Sequence, residues 1–327
     1  MLSAQEIKQA AISYGADIVG IGPIERWADG PAEQDPRWIM PTVRSIICIG
    51  FRMHHGSLRA VEAGNYYSVY TLAEFSDINN RVAPMVQRRL SNLIEDNGYD
   101  AVPVMFSSNR LTAPQGQTAQ ENGQKKPRPD IFFNHRIGGV LCGVGQIGLS
   151  RLLLTPEFGP AQRLFFILTD APLEADPILT EPICDGCLEC VRHCPGKALQ
   201  KGTSDDVEVP NVVTIKRMKL DAIKCAIVHG TGALSPFASD EVKAYARNII
   251  DGTETCLADG SPRPDDETIR KELDGKVSYA ANAQKWFQSP AGLCAGAGCI
   301  RACLAHLEKR GRLKRSYHHP LNVSGNG

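Results

Sequence analysis

The 327-residue sequence predicts a mixed α/β (α+β) chain in two parts. An α/β domain over residues 1–178 is followed by a bacterial ferredoxin-like domain with insertions over 179–312, and then by a tail over 313–327. Two observations carry this reading. Before residue 178, amphipathic helical patterns alternate with short apolar runs of strand length. After it, cysteines crowd at spacings that hold metal clusters.

The elements of the first part follow from local signals. Ser3 followed by Glu6 is a capping box, and Ile7, Ala11 and Ile12 form a helical stripe that stops near Gly15. Asp17 to Gly22 and Ser45 to Phe51 are apolar runs that predict buried strands, as do Ala101 to Phe106 and Arg163 to Thr169. Val82, Val86, Leu90, Leu93 and Ile94 predict a long helix from about Asn79 to Asp96. Ser107 to Pro129 is polar and reads as a structureless loop, either a lid facing a substrate or a plain surface loop. Gly143, Gly145 and Gly148 spell the dinucleotide fingerprint. No strand leads into them and no acidic residue follows at the right distance, so a nicotinamide site is not expected.

The second part opens on Cys184-Asp185-Gly186-Cys187-Leu188-Glu189-Cys190-Val191-Arg192-His193-Cys194-Pro195. This C-x2-C-x2-C-x3-C-P run is the spacing by which bacterial ferredoxins hold [4Fe–4S] clusters, with the fourth cysteine reaching to a second cluster. Partners for two cubanes stand downstream at Cys225, Cys294, Cys299 and Cys303. The spacing assigns Cys184, Cys187, Cys190 and Cys303 to one cluster and Cys194, Cys225, Cys294 and Cys299 to the other. A four-cysteine zinc site also uses C-x2-C pairs, but it needs neither the third close cysteine nor the trailing proline. Of the eleven cysteines, Cys48 and Cys142 lie in apolar surroundings and read as buried thiols. Two polar spans, about 201–210 and 251–285, read as surface insertions, and the basic tail as a solvated terminus.

Composition narrows the function. Lys plus Arg and Asp plus Glu each number 36, which argues against a strong sequence-independent hold on nucleic acid. The first residues show no basic n-region, no twin arginine and no apolar core, and no apolar run is long enough to span a bilayer. The expectation is a soluble cytoplasmic protein with no membrane contact.

Several stretches are similar to the cobalamin-dependent iron–sulfur reductases, the family of epoxyqueuosine reductases and reductive dehalogenases. They are Gly143-Val144-Gly145-Gln146-Ile147-Gly148, then Leu153-Leu154-Thr155-Pro156-Glu157-Phe158-Gly159-Pro160, then Leu168-Thr169-Asp170-Ala171-Pro172-Leu173, and the solitary cysteine of Asp221-Ala222-Ile223-Lys224-Cys225. The resemblance covers roughly residues 1–310 and is specific from about 137 to 230. It implies a nitroreductase-like domain that holds base-off cobalamin, and two clusters that reduce it. The implied cobalamin contacts are the backbone of Gly143, Gly145, Leu154, Thr155, Pro156, Phe158 and Gly159, and the residues after Cys225, among them Ala226, Ile227 and His229. The chain lacks the C-terminal helical repeats of many epoxyqueuosine reductases and the export signal of respiratory dehalogenases, so the family fits better than either activity.

Such a reductase needs a proton donor as well as electrons. Asp130 resembles by position the aspartate acid of epoxyqueuosine reductases, although an N-cap or loop role serves it equally well. His135 is a second acid, with a structural role beside aromatics as its alternative. Tyr66 or Tyr67 matches the tyrosine acid of dehalogenases and Arg163 its basic neighbour, although aromatic pairs also pack in cores. The expected partners are an electron donor such as ferredoxin or flavodoxin and a small-molecule substrate, with transfer RNA a less favoured one. Two other readings stand beside this one: an electron carrier that reactivates another corrinoid protein, and a flavin-dependent iron–sulfur reductase.

Overall fold

The computed structural model describes residues 2–28, 30, 34–104, 118–121, 124–127, 131, 133–209, 212–235, 238–273, 294 and 296–322. At its centre is a four-stranded sheet of β1 (Ile18–Pro23), β2 (Ser45–Arg52), β3 (Ala101–Val104) and β8 (Gln162–Thr169), in the order β1-β2-β8-β3. Every neighbouring pair is antiparallel. The α+β alternative therefore holds rather than a parallel α/β sheet. β2 is buried on both faces from Ser45 to Phe51, which explains why it reads as a continuous apolar run rather than an alternating one.

One face of the sheet is covered by α1 (Ala4–Tyr14) and α3 (Ala83–Asp96), whose Ile7, Ala11, Val86, Leu90 and Ile94 pack against Ile47, Ile49, Phe165 and Ile167. Both halves of the α1 capping box form, and Gly15 closes the helix with φ +113°. Ile12, expected on the inner stripe, is exposed. The helical run begins earlier than its periodicity suggests. A wide-turned π-type stretch, Tyr70–Val82, leads into α3, and Pro84 in the first turn of α3 marks the change.

The other face carries α4 (His135–Leu141) with Trp27, Phe133 and Phe158. No strand enters the glycine fingerprint: α4 precedes it, and β6 (Gln146–Ile147) and β7 (Leu153–Leu154) follow as a short antiparallel pair. The polar loop after Val104 is not wholly structureless, because β4 (Thr118–Glu121) and β5 (Gln124–Pro127) pair there.

Most described residues of the two spans read as surface insertions are exposed or half-buried, and each span is anchored by a buried residue. The hairpin β9 (Val207–Val209) and β10 (Val213–Ile215) buries Val209 and Ile215 in the core behind the sheet. Within the second span, α8 (Asp266–Leu273) packs Ile269 against α6 (Ala222–Thr231) and α7 (Asp240–Asp251). The last helix, α9 (Cys299–Lys309), returns to the first part, where Ile300, Leu304 and Ala305 meet Met53, Leu58 of α2 (His55–Glu62) and Tyr70. Buried Arg301 donates to Glu62 at 3.1 Å across this contact. No helix among the described residues is long and apolar enough to cross a membrane.

Candidate functional site

The cysteine run folds as a loop followed by one short helical turn, α5 (Glu189–Arg192). Gly186 and Leu188 both take positive φ, +74° and +63°. These left-handed residues turn the chain twice within the run, which aims successive sulfurs inward. The remaining thiols come from α6, which carries Cys225, from α9, which carries Cys299 and Cys303 one turn apart, and from Cys294 in the turn before α9. Gly298 makes that turn possible. Its amide donates to Cys294 O at 2.6 Å, and a Cβ there would crowd Cys294 O and Pro195. The longer x4 spacing before Cys299 is thus absorbed by one tight turn against the loop of Cys194.

The electrostatics of the thiols record which ones stand together. Burial pushes Cys303 far up, and Cys184, Cys190 and Cys187 push it further. Cys190 is raised to about 12 by burial and then by Cys184 and Cys187. In the same way burial raises Cys294, with Cys299, Cys225 and Cys194 adding to it. Cys299 rises to about 12 through burial, then Cys194 and Cys225. A thiol with several thiolate neighbours resists ionisation unless a cation neutralises the group. By these mutual effects Cys303 associates with Cys184, Cys187 and Cys190, and Cys294 and Cys299 associate with Cys194 and Cys225. The groups adjoin, since Cys190 also acts on Cys299, and Cys299 on Cys303. Cys48 and Cys142 stay apart, fully buried in the sheet core.

Each group is held by its own clamp. Asp221 caps α6 by accepting from the Lys224 amide at 3.0 Å, and buried Arg263 grips its carboxylate with two bonds of 3.0 Å. Lys224 reaches back to the carbonyls of Ile250 and Gly252. The first group adjoins the tail: Leu313, Cys184 and Cys303 pack on the same small core of Leu154, Ile183 and Leu307, and the Arg312 side chain donates to Pro182 O at 3.0 Å. The tail is not a free solvated end. The Lys314 amide donates to Pro156 O at 2.9 Å, Tyr317 stacks on His55, and Leu321 is buried.

A buried polar cluster adjoins the second group. Tyr70 is 1% exposed, and burial pushes its phenol up to about 12, while Arg163, Cys299 and Cys294 also act on it. Its hydroxyl is hydrogen-bonded to Arg163. The Arg163 Nε donates to Glu74 O at 2.6 Å, and its guanidinium lies 4.2 Å from the centre of the Phe75 ring. The fully buried Glu74 carboxylate accepts from the His54 amide at 3.0 Å and from Ser57 Oγ at 2.6 Å. Sequence reasoning found Arg163 but missed Tyr70 and Glu74. The signal was a tyrosine and a glutamate four residues apart on the inner face of the helical run before α3, which the stripe starting at Asn79 left out.

The other sequence-derived candidates fare differently. Tyr66 is 55% exposed and Tyr67 half-buried against the α2–α9 contact. Tyr70 is bonded to Arg163. Burial pushes His135 down to about 4, and its Nδ1 lies 2.9 Å from Phe133 O. Burial thus favours the uncharged imidazole, which keeps a single N–H. Asp130 lies outside the described residues. Around the turn, a Cβ on Gly143 would overlap Pro177 O and one on Gly145 would overlap Leu154 O. These two glycines answer close backbone packing. Leu154, Thr155, Phe158 and Ile227 turn their side chains into the protein. Thr155 and Gly159 exchange two backbone bonds of 2.9 Å, with Gly159 at φ +54°, and Pro156 sits at the tip between them. Ala226 and His229 lie half-buried on α6.

No family model matches the sequence. The chain is 22% identical to a tetrachloroethene reductive dehalogenase of Dehalobacter restrictus over 258 residues, 68% of this chain and 44% of that protein. It is 25% identical to an epoxyqueuosine reductase of Gloeobacter violaceus over 234 residues, 71% of this chain and 60% of that protein. The chain thus spans less than two thirds of either relative. A solved reductive dehalogenase, described in terms of B12-dependent dehalogenation, shares the fold with a TM-score of 0.51 at 16% identity, covering 89% of this chain and 37% of that one.

Proposed function

We propose that this relative of the reductive dehalogenases and epoxyqueuosine reductases is a cytoplasmic, corrinoid-dependent iron–sulfur reductase. Its first domain, about 1–178, is then nitroreductase-like and binds corrinoid and substrate. Its second, 179–312, is a two-cluster ferredoxin-like domain. The observation that carries this reading is the gathering of eight thiols into two adjoining groups of four, beside a buried tyrosine–arginine pair.

The donor set fits two [4Fe–4S] clusters, since each group offers the four thiolates that a cubane takes. Cys184, Cys187, Cys190 and Cys303 would hold one, and Cys194, Cys225, Cys294 and Cys299 the other. The amide of Ala198 donates to Cys194 Sγ at 3.4 Å, the type of bond that raises a cluster's potential. For a corrinoid the fit is through main chain. The side chains of Leu154, Thr155, Phe158 and Ile227 are buried and Pro156 O already accepts from the Lys314 amide, which leaves the edge of α6 at Ala226 and His229. When bound, a corrinoid supplies the strongly reducing centre that meets the substrate.

The chain's own chemistry is proton supply. Tyr70 keeps its phenolic proton at neutral pH because burial opposes the phenolate. Arg163, bonded to its oxygen, stabilises that phenolate when the proton leaves for the reduced product. The substrate in this reading is a small molecule or a modified base, and the electrons come from a ferredoxin or flavodoxin.

Anaerobic purification with an iron count, followed by titration with cob(II)alamin under electron paramagnetic resonance, tests the reading. About eight irons and a shift to the base-off cobalt spectrum are expected. Zinc in place of iron, or eight irons with no change in the cobalt signal, would sink it.

A further inference from the structure

We propose that the C-terminal end of α9 and the start of the tail form a docking surface for an acidic one-electron carrier protein, which delivers electrons through the Cys184/Cys187/Cys190/Cys303 group. This rests on the two-cluster reading and adds the place and the chemistry of the partner.

Three observations meet at one spot. The chain is neutral as a whole, yet Lys309, Arg310, Arg312, Lys314 and Arg315 fall within seven residues that contain no acid. All five are exposed. This stretch is fixed beside the start of the cysteine run. Arg312 donates to Pro182 O two residues before Cys184, Leu313 packs on the small core of Leu154, Ile183 and Leu307 that Cys184 and Cys303 also touch, Lys314 pairs with Glu157 at 2.7 Å, and Arg315 lies over Phe158. The loop of the first group reaches solvent, because Asp185 and Gly186 between its first two cysteines are exposed. The second group backs onto Tyr70. A carrier must bring its redox centre close to a cluster, and the exposed loop at Asp185 and Gly186 offers a surface for that approach.

Fixed positive charge around such a surface steers an acidic partner and raises its on-rate. A nucleic acid could also meet a basic stretch. Five cations, one of them paired with Glu157, are few for a duplex grip. The carrier is the better match. In the step itself one electron passes from reduced carrier to oxidised cluster. The carrier is oxidised, the cluster is reduced, and no bond is made or broken.

The test compares the iron-loaded full chain with a Lys309→Glu/Arg310→Glu variant, and with the milder Lys309→Gln/Arg310→Gln variant in case the first folds poorly. Neither side chain is used in holding the thiol groups. Stopped-flow reduction of the clusters is followed with reduced flavodoxin and, separately, with photoreduced deazariboflavin, a small reductant that needs no docking. The flavodoxin rate should fall about tenfold or more at low salt. The difference should shrink as salt shortens the reach of charge to about 10 Å, while the deazariboflavin rate and iron content stay the same. An unchanged flavodoxin rate, or equal slowing with both reductants, overturns the proposal. Loss of binding to an RNA stem-loop with an unchanged flavodoxin rate would assign the surface to nucleic acid instead. A wild-type chain without iron would fail the cluster reading itself, a result separate from any of these.

Discussion

The two thiol groups share a ligand type and differ in almost everything around it. The first is a single loop closed by one residue of α9, faces solvent at Asp185 and Gly186, and adjoins a basic tail. The second draws one cysteine each from the loop, α6, the turn before α9 and α9 itself. It is backed by Tyr70 and Arg163, and its Cys294 is buried. A relay needs this asymmetry. One end must be approachable by a partner that comes and goes, and the other must lie in a dry, fixed site where charge and proton supply are controlled. On the proposed two-cluster reading, the group whose loop is exposed at Asp185 and Gly186 would be the receiving end and the group beside Tyr70 the delivering end.

The largest effect should come from removing one ligand from each group. Cys187→Ser and Cys225→Ser should each lower the iron content from about eight to about four per chain. They should differ in what remains. With Cys225→Ser, the surviving cluster should still be reduced rapidly by a protein carrier. With Cys187→Ser, the surviving cluster should be reduced slowly by the carrier and readily by a small reductant. Identical behaviour of the two variants would erase the distinction between receiving and delivering ends.

Much of this comparison was legible in the sequence, and the parts that were not have physical reasons. The run from Cys184 to Pro195 declares its chemistry because cluster ligation fixes cysteine spacing locally. Apolar runs such as Ser45 to Phe51 declare buried strands. Sheet direction is less visible, because a strand buried on both faces looks the same whether its neighbours run parallel or antiparallel. Tyr70 and Glu74 were hidden for another reason. A polar residue on the inner face of a helix breaks the apolar stripe by which the helix is recognised, so buried polar residues such as these blur the pattern. Gly143 and Gly145 answer a demand that a spacing motif does not reveal: the space before each holds the protein's own backbone at Pro177 and Leu154. The insertions and tail read as surface because they are polar on average, whereas their anchoring rests on a few residues: Val209, Ile215, Ile269, Arg263 and Leu321.

Next in size is the proton-supplying side of the delivering end. Tyr70→Phe should cut turnover by roughly 10²–10⁴-fold, the usual worth of a positioned general acid, with iron content and cobalamin binding unchanged. Tyr67→Phe should leave turnover near that of the parent. The reverse outcome would return the role to Tyr67 and leave Tyr70 as a buried hydrogen-bond partner of Arg163.

The smallest effects set one clamp against the other. Arg263 and Asp221 are almost wholly buried, so Arg263→Ala strands a carboxylate away from water and should cost about 3–5 kcal/mol, visible as a lower anaerobic melting temperature. Burial alone would raise the Asp221 carboxyl. The two Arg263 bonds and the Lys224 amide outweigh burial and hold it below its ordinary 3.8. A depressed carboxyl contributes its stability fully above the unfolded value and loses it as pH falls through the lower folded one. The Arg263→Ala deficit should therefore be constant near neutrality and shrink only below about pH 4. Lys314 and Glu157 form their pair at the surface, so Lys314→Ala should cost less than about 1 kcal/mol and lose even that in salt. A buried clamp on the delivering end and a screened one on the receiving end fit their tasks, since the first must not move and the second must admit a partner. Equal costs for the two substitutions would show that both groups are held alike and that the asymmetry lies only in exposure.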